Sequence, residues 1–204
     1  MAAPDASAEG WLWYAIRTAA CVPLDRDAYP TTIYDQEPVP WPPWACKAPD
    51  GGIHVDAGLG PIDVHVSKAP GGREEVTWTC DFGVFIVSRK WLAAIEDLID
   101  GKRICLGRLY LDGRELQDWT TLHEVRPPAL LATEGKTKAC PVCGETYTVL
   151  NGREFFADPA VLGRPLIVGG KGIFVREDEA IRRNLRTPAG AYKPSLVRFK
   201  DYPT

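Results

Sequence analysis

Cys140 and Cys143 stand three apart in the run Ala-Cys-Pro-Val-Cys-Gly at 139–144. Two cysteines at that spacing, closed by glycine, form a knuckle whose backbone amides point at both sulfurs. Such a turn lowers the thiolate pKa and suits Zn²⁺. Tetrahedral zinc takes four ligands, and the chain has no second Cys-x-x-Cys. The remaining candidates are Cys46, Cys80, Cys105, His54, His65 and His123. Cys46 and His54 share one loop and are expected to complete a single zinc site with Cys140 and Cys143. A redox dithiol competes with this reading, but redox motifs of this kind open a helix. Here Glu-Thr-Tyr-Thr-Val-Leu follows Gly144 and is strand-like. A turn with two spectator thiols is the third reading.

Other chemistry is thinner. Gly-Gly-Lys-Gly at 169–172 lacks the G-x-x-x-x-G-K-[ST] pattern of a phosphate loop and reads as a tight turn. His54-x-Asp56 and Asp63-x-His65 each place two polar side chains on one strand face, which an exposed polar face explains as well as acid–base chemistry. No nucleophile elbow and no His-Glu-x-x-His occurs. With no complete catalytic constellation, the protein is expected not to be an enzyme.

The elements that would hold these residues are mostly strands. Trp11–Arg17 reads as an opening strand, and 22–60 is rich in Pro, Asp, Gly and Trp. The run at 37–52 cannot be a helix interior, because proline lacks the amide donor, so it is expected to be extended. Strands are expected at 62–67 and 75–80, and at 83–87 ahead of Ser88, a good helix N-cap. Trp91, Leu92, Ile95, Leu98 and Ile99 fit one face of a helix ending at Gly101. A strand pair is expected around Asp112–Gly113 and another around the knuckle, with a turn at Asn151–Gly152. Strands at 165–168 and 172–175, a short helix at 177–185 and a strand at 192–199 close the chain. The segments 83–101 and 172–190 resemble each other at an offset of 89, with Phe85 matching Phe174 and Leu92 matching Ile181. They predict two strand–helix units on one sheet with Phe85, Ile95, Phe174 and Ile181 buried. Duplication and coincidence both remain open.

The expected fold is α+β, a mostly antiparallel sheet with two amphipathic helices and a long Pro/Trp-rich loop. It forms one compact domain over 1–204. A subdivision into an acidic 1–80 region and an 81–204 region with two strand–helix–strand units is compatible with the pattern. Composition agrees with an ordinary globular chain: 204 residues, 45% hydrophobic and 25% charged. A net charge of −3 disfavours a generic nucleic-acid binder. The apolar runs fall short of the ~20 residues of a membrane span. The N-terminus has no signal-peptide pattern, so a cytoplasmic protein with reduced thiols is expected.

Charge is polarised along the chain. Residues 1–63 hold three basic and nine acidic residues, a net −6, and 164–200 hold nine basic and three acidic, a net +6. Trp41 and Trp44 sit in the proline-rich loop among Asp35, Glu37 and Asp50. Tryptophan favours binding hot spots, and acidic groups steer a basic partner. These five residues are the candidate partner-binding surface. Tryptophans that cap the core beneath a long loop are the alternative.

The order of elements resembles the double-CxxCG motif family of myxobacterial paralogues. Cys-Pro-Val-Cys-Gly at 140–144 matches the second knuckle of that family. Residues 172–185 and 192–199 resemble its tail, and 83–98 its middle segment. The first knuckle departs, since Trp-Ala-Cys-Lys-Ala-Pro-Asp-Gly-Gly keeps only Cys46. The chain also resembles bacterial immunity proteins that neutralise polymorphic toxins. That resemblance implies a non-enzymatic protein that masks a basic toxin domain. The alternative is a small zinc-knuckle protein that binds nucleic acid or regulates transcription.

Overall fold

A computed structural model describes residues 12–34, 37–46, 54–80, 82–134, 136–148, 153–169 and 172–199. Two six-stranded sheets dominate it. The first runs, in spatial order, β10 (Leu130–Ala132), β13 (Glu154–Phe156), β16 (Ser195–Phe199), β1 (Leu12–Ile16), β15 (Gly172–Arg176) and β14 (Leu166–Gly169). The second runs β2 (Cys21–Val22), β6 (Val76–Thr79), β7 (Phe85–Ser88), β9 (Arg114–Glu124), β8 (Ile104–Leu111) and β5 (Val64–Val66). Two hairpins stand apart: β3 (Thr31–Tyr34) with β4 (Glu37–Pro40), and β11 (Thr137–Ala139) with β12 (Thr146–Thr148).

The expected α+β class with a mostly antiparallel sheet is corrected on two counts. Both sheets are mixed: β13 pairs with β16, β2 with β6 and β5 with β8 in parallel. Parallel neighbours need long crossovers, which local sequence does not announce. The helical content is also small. Among the described residues the α-helices are α1 (Arg89–Leu92) and α2 (Glu177–Arg182), of four and six residues. Ser88 does cap α1, its Oγ accepting from the Trp91 amide at 3.1 Å. The chain then passes through a turn into a 3₁₀ turn at Glu96–Leu98 instead of continuing as one helix. Trp91, Leu92 and Ile95 are nonetheless buried. A segment this short takes its shape from packing more than from helix propensity.

Three apolar layers result. The central one lies between the sheets and includes Ile16, Phe85, Val87, Leu122, Ile173 and Val175. A second covers the far face of the second sheet, where Tyr29, Trp44 and Val55 pack with Ile86 and Leu109. A third covers the far face of the first, with Trp13, Phe156, Val161, Ile167, Phe174 and Val197. Strands buried on both faces read as unbroken apolar runs, which explains Gly-Val-Phe-Ile-Val and Gly-Ile-Phe-Val. The hairpin at Asp112–Gly113 takes the expected form: φ is +49° and +72°, the left-handed pair of a type I′ turn.

The two resembling segments do not share a sheet. β7–α1 belongs to the second and β15–α2 to the first. Phe85 faces the central layer whereas its matched residue Phe174 faces the outer one, so the 89-residue offset aligns opposite faces. Phe85, Ile95 and Phe174 are buried, but Ile181 is 67% exposed. Ala180 turns inward instead, and the next residue of a helix lies about 100° further round.

Thiols also depart from expectation, because Cys21 and Cys80 form a disulfide with a Cα–Cα distance of 4.8 Å. It ties the parallel neighbours β2 and β6, a pairing with no local signature. Among the described residues, no helix is long and apolar enough to cross a membrane.

Candidate metal centre

The Pro/Trp loop leaves β4 and folds back onto the second sheet. The Trp41 amide donates to Pro30 O at 2.6 Å, and the Ala45 amide closes a turn on Pro42 O at 3.0 Å. Ala45 and Val55 then form an antiparallel bridge. On either side of it the Cys46 amide donates to His54 O at 3.0 Å and the Asp56 amide to Trp44 O at 2.9 Å. Cys46 and His54 are thereby held opposite each other, although eight positions separate them in sequence. Trp44 anchors the assembly. It is 6% exposed, stands edge-on to Phe82 at 5.3 Å, and its Nε1 donates to Asp63 O at 3.1 Å.

The second half of the site is the tip of the β11–β12 hairpin. Cys140 N donates to Glu145 O at 2.7 Å and Gly144 N to Cys140 O at 2.9 Å. Gly144 has φ +77°, a left-handed conformation that glycine adopts without a Cβ clash. The amides of Val142 and Cys143 hydrogen-bond the Cys140 sulfur.

These two halves meet. Cys46 Sγ lies 3.6 Å from Cys140 Sγ, and Cys143 Sγ lies 3.4 Å from His54 Nε2. The ligand atoms of Cys46, His54, Cys140 and Cys143 all fall within 4.8 Å of one another. A tetrahedral centre with Zn–S near 2.3 Å and Zn–N near 2.0 Å has ligand–ligand edges of roughly 3.5–3.8 Å, so the two close contacts have the length of tetrahedron edges. Three thiolates and an imidazole form a soft donor set that suits zinc. Cys46 and Cys140 are buried, while Cys143 and His54 are half-buried.

Electrostatics sets the two buried thiols apart. Burial raises the Cys140 thiol, but the Cys143 and Val142 amides and the neighbouring thiols outweigh it, and the net direction is down. Burial, with Cys143 and Cys140 alongside, pushes Cys46 up to about 12. Thiolates this close repel one another, and a bound dication removes that penalty.

The rejected ligand candidates are all placed elsewhere. Cys80 is in the disulfide, and Cys105 is buried with its thiol directed at Gly101 O and Lys102 O. His65 stacks on Tyr110 at 4.7 Å. His123 is buried deeply enough that its imidazole is pushed down to about 4. Of the His-x-Asp and Asp-x-His pairs, His54 joins the cysteine cluster. Asp63 instead takes a two-pronged ion pair from Arg108, at 3.0 and 2.6 Å, which holds its carboxyl low despite partial burial.

The expected partner surface is split. Asp35 and Asp50 lie outside the described residues, and Glu37 opens β4. Trp44 is packed in the core as a cap beneath the loop. Trp41 is half-buried against Phe82 at 5.8 Å. With Tyr29, Pro30, Pro42, Asp63 and His65 it lines a groove of about 780 Å³.

Sequence reasoning passed over Glu124, which is fully buried between the sheets and ringed by Arg103, Arg164 and the Val168 amide. Glu124 ends β9 in a largely polar stretch, so no local signal marked it as buried. No model of a known protein family matches the chain, and no curated protein matches its sequence.

Proposed function

We propose that this chain is a non-enzymatic binding protein in which a Cys₃His zinc site fastens the acidic Pro/Trp loop for presentation to a basic protein partner. The single observation behind this reading is the convergence of Cys46 and His54 with Cys140 and Cys143, 94 and 89 positions away in sequence. A closed four-ligand site without a water position is structural in character. It contributes folding energy and holds the loop beside the Trp41 groove. The partner is proposed to be a toxin domain, neutralised by masking, as the resemblance to toxin-immunity proteins implies. Nuclease-type active sites carry cationic grooves, and the −6 charge of residues 1–63 complements them.

Two measurements test this. Protein purified without chelator should carry about one zinc per chain, and a zinc-free preparation with four titratable thiols would overturn the metal site. Co-expression with the product of the adjacent gene should rescue growth if that product is toxic. A non-toxic neighbour that this protein does not bind would overturn the partner reading. In the rescued pair, Trp41→Ala should raise the dissociation rate, and charge reversal at Asp35 and Glu37 should slow association.

A further inference from the structure

A second surface stands on residues outside both the zinc site and the acidic loop. Between α2, β1 and the Lys193–Pro194 segment lies a groove of about 440 Å³, lined by Tyr14, Ile16, Ile181, Leu185, Arg186 and Lys193. Ile181 stands open on its wall, and two more exposed apolar side chains follow in the chain segment that closes it. Ile181 is 67% exposed, Tyr192, next to Lys193, 59%, and Leu196 48%. Leu196 pairs with Tyr14 across β1–β16 and therefore shares its face. Single exposed apolar residues are ordinary, but Ile181 shares a concave wall with Tyr14, Ile16 and Leu185, and such a wall marks an interaction site.

The wall is built rigidly. The Leu185 amide donates to Ala180 O at 2.9 Å and the Asn184 amide to Ile181 O at 3.0 Å, with Asn184 at φ +48°. This is the paired closure of a Schellman motif. It fixes Ile181 facing outward over the groove.

The rim is cationic and selective. Arg182 and Arg183 are occupied, pairing with Glu179 and Asp97. Arg186 and Lys193 on the groove, and Arg198 two residues beyond Leu196, have no carboxylate within ion-pair distance among the described residues. We propose that this groove docks an acidic segment of a partner protein. Its apolar side chains seat against Ile181 and Tyr14, and its carboxylates meet Arg186 and Lys193.

Chemistry favours this occupant over other anions. The volume lies within the roughly 300–1,000 Å³ of side-chain- and ligand-sized clefts, whereas a lipid surface needs no concavity. Among the described residues the free cations lining the groove are Arg186 and Lys193, short of the clusters of about 4–8 that recognise anionic lipid. They also fall short of the roughly 6–10 phosphate contacts of a duplex binder.

A display library of random 12-residue peptides, selected on the full-length protein, tests the proposal. Enriched peptides should combine Asp or Glu with Leu, Ile or Phe, and should weaken on added salt. Ile181→Asp should reduce their affinity at least about tenfold, as should the double variant Arg186→Glu, Lys193→Glu. All three residues are surface groups, so the variants should keep the parent melting temperature. Leu196→Asp provides a second apolar probe if Ile181→Asp does not fold. Enriched peptides that are basic or neutral, or that ignore these substitutions, overturn the proposal. So does binding of phosphatidylserine vesicles or duplex DNA that the same variants abolish, or self-association that Ile181→Asp removes. Loss of zinc leaves the expected result unchanged, which separates this site from the loop interface.

Discussion

Glu124 of the second sheet accepts a hydrogen bond from Arg164 at the edge of the first, Oε1 to Nη1 at 2.7 Å, while its Oε2 accepts from the Val168 amide at 2.7 Å. Arg103 adds an ion pair at 3.3 Å. This carboxylate is a fully buried polar link beside the apolar layer between the sheets. Leaving a buried charge wholly uncompensated costs about 3–5 kcal/mol, and Arg103 and the Val168 amide still hold Glu124 when Arg164 is removed. Arg164→Met should therefore lower the unfolding free energy in a denaturant titration, by less than that full amount.

The same group predicts a pH dependence. Burial lifts the Glu124 carboxyl to about 7, from a usual 4.5, against the pull of the Val168 amide, Arg164 and Arg103. The folded state then binds the proton more tightly than the unfolded chain. Its contribution is full below about pH 4.5 and is lost as pH rises through about 7. The Glu124 contribution should fall between about pH 4.5 and 7 by up to about 1.4 kcal/mol per unit, a slope that the buried His123, lowered to about 4 from 6.5, opposes in the wild-type total. Glu124→Gln should flatten that slope. Parallel profiles for the two proteins would mean that the arginines keep the carboxyl ionised throughout.

Cys143→Ser and His54→Ala should each reduce bound zinc from about one per chain and lower the melting temperature. Cobalt substitution of the wild type should give the visible absorption of a tetrahedral thiolate site. Retention of full zinc by both variants would place the metal elsewhere.

Cys21→Ser should cost about 2–4 kcal/mol, since the bond constrains a long loop in the unfolded chain. Its zinc content should stay unchanged, because neither Cys21 nor Cys80 belongs to the Cys₃His cluster. A Cys21→Ser protein as stable as the parent under oxidising conditions would show the bond to be dispensable.

Phe174→Ala and Ile181→Ala should separate sharply. Phe174 is 1% exposed and meets Phe156 edge-on at 5.1 Å, so its truncation should cost about 3–5 kcal/mol. Ile181 is largely exposed and should cost under about 0.5 kcal/mol. Equal losses would contradict the orientation of α2.

Local chemistry in the sequence determined much of this protein. The CPVCG turn, the Asp112–Gly113 hairpin, the Ser88 cap and the apolar runs of β7 and β15 depend on neighbours a few positions away. Cys46 and His54 were legible as candidate ligands because they share a loop whose small spacing limits how far apart they can fall. Only the tertiary structure decided the rest. The parallel pairings, the Cys21–Cys80 bond and the Glu124–Arg164 link join residues tens of positions apart, and their formation depends on how two sheets stack. The same holds for the faces of Trp44 and Ile181. A helix of six residues or a proline-rich loop carries too little periodicity to fix its own rotation. Packing against Phe82 turned Trp44 inward, and burial of Ala180 turned Ile181 out.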